Sequence, residues 1–92
     1  MIDSTTTTGF EWDDANVEHI ARHRFLPEEV EEIFENPYQI RRVRAGRHAA
    51  FGETLDGRLA FVVFERRSQG RIRVVTARDM NRKERRLYRR EK

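Results

Sequence analysis

The longest apolar run of the sequence lies within RLAFVVFER, residues 58–66. Its apolar residues fall on both faces of an extended chain, which is typical of a strand that is central in its sheet and covered on both sides. Asp56-Gly57 lies immediately before it and is the strongest hairpin signal of the chain. We therefore predict a central strand that follows a tight turn.

The segments on either side of this strand predict its neighbours. Residues 47–54 (RHAAFGET) precede the turn, with Gly52 as a candidate β-bulge. Residues 71–77 (RIRVVTA) follow a second turn at Ser68-Gln69-Gly70, and residues 38–43 form a further strand-like segment. Together these segments predict an antiparallel meander of three or four strands.

The N-terminal part has a different pattern. Phe10-Glu11-Trp12 alternates apolar and polar residues and predicts a short strand, after which Asp13 or Asp14 can cap a first helix. A second helix is predicted from Pro27, which suits a first helical turn, to Asn36-Pro37, where the residue before proline disfavours the helical conformation. The result is a short, acidic helical hairpin.

A basic helix is predicted at the C-terminal end. Asn81 and Glu84 have the spacing of a capping box. The predicted fold class is therefore α+β, with a short N-terminal strand and two helices packed on an antiparallel sheet of three to four strands, followed by this helix. Residues 1–9 include four consecutive threonines and are predicted to be a disordered tail, and residues 10–92 a single domain.

Composition narrows the class of protein. The chain has 92 residues, of which 37% are hydrophobic and 38% charged, enough for one modest core under a charged surface. It has no cysteine, which excludes a disulfide scaffold and cysteine-ligated metal sites. No apolar run approaches the roughly 18 residues that span a bilayer. We expect a soluble cytoplasmic protein with no membrane partner.

The charge is unevenly distributed along the chain. Residues 1–38 hold ten acidic residues and two arginines, a net charge of −8, whereas residues 39–92 carry a net charge of +11. The bases are nearly all arginine, whose planar fork of donors matches phosphate oxygens. A basic half of this kind favours nucleic acid as a partner, and the alternative is a solvated arginine-rich surface.

Three stretches, taken in this order, resemble the BrnT family of toxins from type II toxin–antitoxin systems. The first two are Phe10-Glu11-Trp12-Asp13, followed by a helix ending in Arg22-His23, and Phe51-Gly52-Glu53 with Asp56-Gly57-Arg58. The third is Arg73-Val74-Val75-Thr76-Ala77-Arg78, followed by Glu84-Arg85-Arg86 and Tyr88. The resemblance covers residues 10–88, with Asn16 standing where that family usually has lysine.

The resemblance implies a RelE-like fold and a small ribonuclease that needs no metal. It also implies a BrnA-like antitoxin with a ribbon-helix-helix domain, which neutralises the toxin. In that family toxin and antitoxin together repress their own operon, so contact with DNA is expected only through the antitoxin.

Cleavage of RNA without a metal needs a base for the 2′-hydroxyl, positive charge on the phosphate and an acid for the leaving oxygen. Arg73 and Arg78 are the candidates for phosphate binding and transition-state stabilisation. The alternative for both is a surface ion pair, with Asp79, Glu84 or the antitoxin as partner. Further phosphate contacts are predicted along the last helix, at Arg82, Arg85, Arg86 and Arg89.

Three other residues are candidates for the catalytic site. An exposed Tyr88 could stack on a base or relay a proton, and the alternative is a ring packed on the sheet. His48 could act as acid or base near neutral pH, and the alternative is an ordinary strand histidine. Glu53, carried over from the resemblance, could be a base or could position an arginine.

Neither a metal nor a cofactor is predicted. His19 and His23 have the helical spacing of a metal pair, but no third ligand accompanies them. Two other functions stay open. One is a non-catalytic module of the same fold that binds nucleic acid or the antitoxin. The other is a small DNA-binding regulator, which the lack of a helix-turn-helix spacing disfavours.

Overall fold

A computed structural model describes residues 9–91, which form three helices and one sheet. The helices are α1 (Asp14–Ala21), α2 (Pro27–Glu35) and α3 (Arg82–Glu91). The strands are β1 (Gly9–Glu11), β2 (Gln39–Arg42), β3 (Arg47–Glu53), β4 (Leu59–Arg66) and β5 (Arg71–Asp79). The predicted α+β class and the order of elements are confirmed. Residues 1–8 of the predicted tail lie outside the described residues, and Gly9 begins β1.

The sheet has five strands in the order β1-β5-β4-β3-β2. Strands β2 to β5 form the predicted antiparallel meander, and β4 lies at its centre. The prediction of three to four strands, all antiparallel, is wrong because β1 also joins the sheet. It pairs with β5 in parallel, with Phe10 opposite Ile72. The description of this fold as RelE-like stays a prediction.

The core lies between one face of the sheet and the first two helices. On β4 the residues alternate, so Ala60, Val62 and Phe64 are fully buried while the residues between them are half-buried. α1 lies over β5 and α2 over β3, bringing Ile20 and Ile33 into this core. β4 was predicted to be covered on both faces. The face under α1 and α2 is fully buried, whereas the opposite face is only half-buried.

The first turn of α1 is tied to the sheet by Asn16. Asp13 and Asn16 form a reciprocal capping box, with bonds of 2.8 and 3.1 Å between each side chain and the other's backbone N–H. The buried Asn16 amide nitrogen also donates to the carbonyls of Glu11 (2.9 Å) and Val74 (3.0 Å). This side chain therefore joins β1, α1 and β5, a structural role for a position where the resembled family usually has lysine.

The connection between α1 and α2 is held by Arg58, at the start of β4. Its guanidinium lies 3.5 Å from the centre of the buried Phe25 ring and donates to the carbonyls of His23 and Arg24 at 3.0 and 2.8 Å. It also pairs with Asp79 at 2.8 Å. Arg58 thereby satisfies carbonyls that the end of α1 leaves without a helical partner.

Gly52 is not a bulge, because it pairs in register with Ala60. The bulge lies between β4 and β5, where Val63 faces Thr76 and Phe64 faces Val74, leaving Val75 as the extra residue. Gly52 instead allows close packing of α2. A Cβ atom at this position would lie 2.8 Å from Ile33 Cγ2 and 3.1 Å from Tyr38 Cβ.

We expect Gly52→Ala to destabilise the fold by about 1–3 kcal/mol, because α2 must shift to accommodate the methyl group. Urea unfolding followed by circular dichroism measures the change. Gly9→Ala is the matched control, because its added Cβ meets only Arg71 Cγ at an ordinary 3.8 Å. Equal midpoints for the two variants would contradict this account of Gly52.

Candidate functional site

The sheet face opposite the core carries most of the predicted site residues. The register places Glu53 opposite Leu59, Phe61 opposite Arg78 and Glu65 opposite Arg73, all on this second face. Arg73 and Arg78 are an odd number of residues apart and would point to opposite faces of a regular strand. The bulge at Val75 brings them to the same face.

Helix α3 lies against this face and is joined to it by Arg78 and Glu84. The two side chains form a bidentate pair with N–O distances of 2.8 and 2.9 Å. The hydrogen bond from Arg78 lowers the pKa of Glu84, and Glu84 in turn raises the pKa of Arg78. Glu84 also completes the predicted capping box with Asn81. Arg78 therefore forms the ion pair with Glu84 that the sequence offered as the alternative to phosphate binding.

One turn later, Tyr88 and Glu53 form the second link between α3 and the sheet. The prediction of an exposed phenol is wrong, because Tyr88 is only 4% exposed and packs on the sheet. Its hydroxyl donates to Glu53 Oε2 at 3.1 Å. Burial, and then this bond to a carboxylate, raise the pKa of Tyr88 to about 12. The phenol therefore stays protonated near neutral pH and holds the Glu53 carboxylate.

Arg73 lies apart from Arg78. Their partners on β4, Glu65 and Phe61, are four residues apart, which is about 13 Å of strand. Arg73 pairs with Asp13 at 3.0 Å, and this contact lowers the pKa of Asp13 and raises that of Arg73. The two arginines therefore do not converge on a single phosphate group.

His48 is not brought together with the other candidates. It faces Phe64 across the β3–β4 pair, on the face that α1 and α2 cover, and its ring stacks on that of Phe64 at 5.6 Å. Its Nδ1 atom is buried without a hydrogen-bond partner among residues 9–91. The structure thus separates His48 from Arg78 and Glu53 by the thickness of the sheet.

The outer side of α3 presents a row of arginines. Within the described part of the chain they line one open cleft of about 480 Å³. This arginine row consists of Arg82, Arg85, Arg86, Arg89 and Arg90. Arg90 was missed from the sequence, where its position near the chain end gave no signal of its own. The four arginines predicted from the sequence thus share one surface, and their contact with phosphate stays a prediction.

Comparison with known proteins identifies the family. The profile of the family described as the ribonuclease toxin BrnT of type II toxin–antitoxin systems matches residues 12–84. The chain belongs to the BrnT family. The crystal structure of the Brucella abortus ribonuclease toxin BrnT is similar in fold, with a TM-score of 0.67 and 20% sequence identity. The match covers 83% of this chain and 100% of the Brucella chain. No curated protein matches.

The matched range explains where the BrnT resemblance lies in three dimensions. It begins at Trp12, directly after β1, and runs through α1, α2 and strands β2 to β5 to Glu84, so it includes Arg78 and its partner on α3. Tyr88 and the rest of the arginine row from Arg85 onward lie beyond the matched residues.

Two further features bear on ligands. The rings of His19 on α1 and of His23, in the turn that follows it, lie 6.5 Å apart, and residues 9–91 contain no group of three acidic or histidine side chains placed to hold a metal ion. In the same range no helix is long and apolar enough to cross a membrane.

The raised pKa of Tyr88 predicts a loss of stability in alkali. Because the folded pKa lies near 12 and the usual value is 10.0, the contribution of the neutral phenol is complete below pH 10. It is lost progressively as the pH rises from 10 toward 12. Urea midpoints of the parent should fall more steeply over this interval than those of Tyr88→Phe, which lacks the ionisable hydroxyl. Parallel curves would exclude a raised pKa.

Proposed function

We propose that this member of the BrnT family is an endoribonuclease toxin that cleaves RNA without a metal, and so inhibits translation and growth. The observation that carries the proposal is the arginine row on α3, the helix that Arg78 joins to the second face of the sheet through Glu84. Fixed positive charge along one helix suits the phosphate backbone of RNA, and the adjacent guanidinium supplies charge at a point where the backbone can be cleaved.

Binding is assigned to Arg82, Arg85, Arg86 and Arg89. Within residues 9–91 neither Arg82, Arg86 nor Arg89 forms an ion pair with a carboxylate, while Arg85 donates to the Met80 carbonyl at 2.6 Å. Arg73 on the sheet differs, since it is paired with Asp13. Arg82, Arg86 and Arg89 therefore keep their charge available for RNA.

Stabilisation of the transition state is assigned to Arg78. Its side chain is 35% exposed, and its guanidinium lies 4.1 Å from the centre of the Phe61 ring. Bonds to Glu84 and to the Asp79 carbonyl use three of its donors, and a guanidinium has others. Arg78 can thus keep its contact with α3 while donating to a phosphate oxygen that gains charge during cleavage.

Arg73 is assigned to a second phosphate along the strand, because its distance from Arg78 prevents contact with the same group. Glu53 is assigned to contact with RNA, in the position where Tyr88 holds it. The proposal gives His48 no role in proton transfer, because it lies on the opposite face of the sheet.

The partner is proposed to be an antitoxin of the BrnA kind, with a ribbon-helix-helix domain that carries the contact with operator DNA. The exposed arginines on α3 favour an acidic antitoxin segment, which would cover the surface that binds RNA. Neutralisation of the toxin and binding of RNA would then compete for the same side chains. Repression of the operon follows from the DNA contact made by the antitoxin.

A non-catalytic module that binds RNA or the antitoxin is the second candidate. It is favoured by one observation, the ion pairs that hold both candidate catalytic arginines, Arg78 with Glu84 and Arg73 with Asp13. In such a module these pairs would serve only to fasten α3 and β1 to β5. The two candidates differ in whether the purified chain cleaves RNA.

Cleavage of end-labelled single-stranded RNA in excess EDTA tests the proposal. The parent should cleave, and Arg78→Ala should reduce the rate by at least about 100-fold because a charge donor to the transition state is lost. Arg44→Ala, which removes an exposed arginine in the β2–β3 turn, should cleave at the parental rate. No cleavage by the folded parent would favour the non-catalytic module.

Glu84→Gln separates chemistry from structure in the same assay. It weakens the link to α3 but keeps the Arg78 guanidinium. If Arg78 acts only by fastening α3, the two variants should lose activity together with their thermal stability. If Arg78 acts on the phosphate, Glu84→Gln should retain much more activity than Arg78→Ala at equal stability.

Salt dependence tests the arginine row independently of cleavage. For a 2′-O-methylated RNA, which cannot be cleaved through the 2′-hydroxyl, Arg86→Ala should weaken binding. It should also reduce the slope of log Kd against log salt by about 0.7, the value for one single-strand phosphate contact. Arg22→Ala, at the exposed end of α1, is the matched control and should leave the slope unchanged. Equal slopes for the parent and Arg86→Ala would remove this residue from the RNA surface.

A further inference from the structure

A second cleft, of about 490 Å³, opens beside Tyr88. The connection from α2 to β2 (Asn36–Gln39) forms one wall, and the end of β3 with the turn that follows forms the other. Its volume falls within the range of small-molecule sites. The function proposed above assigns Glu53, in the wall of this cleft, to contact with RNA but does not say which part of the RNA the cleft would hold.

Three of the side chains that line the cleft, those of Glu53, Asn36 and Gln39, carry acceptor oxygens. Glu53 supplies a carboxylate, which is held in place by the Tyr88 hydroxyl at 3.1 Å. The Asn36 amide nitrogen donates to the Glu53 carbonyl at 3.0 Å, and that of Gln39 donates to the Tyr88 carbonyl at 3.3 Å. Because both amides are oriented by donating, each keeps its oxygen as an acceptor.

The remaining walls are aromatic or apolar. Tyr38 lies in the wall and packs edge-on against Phe34, with ring centres 5.0 Å apart, so its orientation is fixed by the core. Leu55, 68% exposed, stands at the opposite wall. A flat, apolar group that carries N–H donors on its edge matches this combination of walls and acceptors.

The charges around the cleft favour one orientation of such a ligand. The Glu53 carboxylate inside disfavours a phosphate there, whereas Arg85 and Arg89 stand on α3 on either side of Tyr88 in sequence. A nucleotide would therefore place its base in the cleft and its phosphate against the arginine row. Unstacked bases of single-stranded RNA are commonly bound on aromatic side chains in this manner.

We propose that this cleft receives one guanine base of the RNA and that Glu53 selects it, an inference that rests on the proposed function and names its substrate preference. Guanine presents two adjacent donors, N1–H and the N2 amino group, on one edge. A carboxylate has two oxygens with lone pairs for several bonds, so it accepts from both donors while Tyr88 donates to Oε2. Uracil offers a single N–H between two carbonyls, which a carboxylate repels.

Binding of short RNAs tests this without cleavage. The probes are 2′-O-methylated oligouridylates that carry guanine, adenine, cytosine or uracil at one central position, with a fluorescent end label. The parent should bind the guanine probe about tenfold or more tightly than the uracil probe, the range expected for a bidentate base contact. In Glu53→Gln, which replaces one acceptor oxygen by a donor, this ratio should fall to about one.

Two controls keep the outcome interpretable. Glu28→Gln removes an exposed carboxylate from the first turn of α2, whereas the cleft adjoins the other end of that helix. This variant should keep the guanine-to-uracil affinity ratio of the parent. Tyr38→Leu leaves both links to α3 in place but removes an aromatic wall. This variant should bind the guanine probe several-fold more weakly, with little change in its affinity for the uracil probe. If Glu53→Gln loosens α3, Tyr38→Leu is the variant that tests the cleft.

Equal binding of all probes by the parent, a preference for uracil, or a guanine ratio unchanged in both Glu53→Gln and Tyr38→Leu would overturn the inference. RNA cleavage without a guanine preference would overturn the inference and leave the nuclease standing. A guanine preference that depends on Glu53, in a chain that cleaves nothing, would support the cleft and remove the nuclease.

Discussion

The arrangement of the whole site depends on how α3 is held against the sheet. This helix is strongly polar, and only Tyr88 among its described side chains is buried. Its side chains make two polar contacts with the sheet, Arg78 with Glu84 near its start and Glu53 with Tyr88 one turn later, and Gln39 donates to the Tyr88 carbonyl. A hydrogen bond to a charged group contributes about 1.5–3 kcal/mol, so these contacts add substantially to the burial of the Tyr88 ring. Both the arginine row and the guanine cleft take their geometry from this attachment.

The position of each arginine matters more for function than the net charge of the chain. The basic half of the sequence carries +11, but Glu11 and Asp13 of the acidic half pair with Arg67, Arg71 and Arg73. The acidic half therefore neutralises part of the basic half across the fold. On α3, five arginines share one side of the helix, which makes this helix the candidate surface for a polyanion.

Local signals in the sequence were sufficient for most elements. The capping box of Asn81 and Glu84, the proline at the start of α2 and the apolar run in residues 58–66 each act within a few residues, and the elements that they predict are confirmed. The parallel pairing of β1 depends on β5, about sixty residues away, and no local pattern encodes it. The sheet was therefore predicted with too few strands.

The candidate site was harder to predict, because its membership depends on which face each strand residue occupies. His48 and Glu53 lie five residues apart on β3 and so point to opposite faces. Arg73 and Arg78 have the same spacing on β5 and share a face, because the bulge at Val75 shifts the alternation by one residue. Equal spacings on the two strands therefore give opposite outcomes, and only the register of the sheet shows that His48 lies on the face away from Arg78 and Glu53.

In the proposed function, the arginine row links the stability of α3 to the binding of RNA. Like charges three or four residues apart, such as Arg82 with Arg86 and Arg85 with Arg89, destabilise a free helix by about 0.2–0.5 kcal/mol for each pair. A bound phosphate backbone removes this repulsion, and whatever binds the docked helix preferentially also stabilises it. RNA and α3 docking therefore reinforce each other. Because Tyr88 and Glu53 lie at the same junction, RNA that holds α3 in place also holds the Glu53 carboxylate in position to select a base.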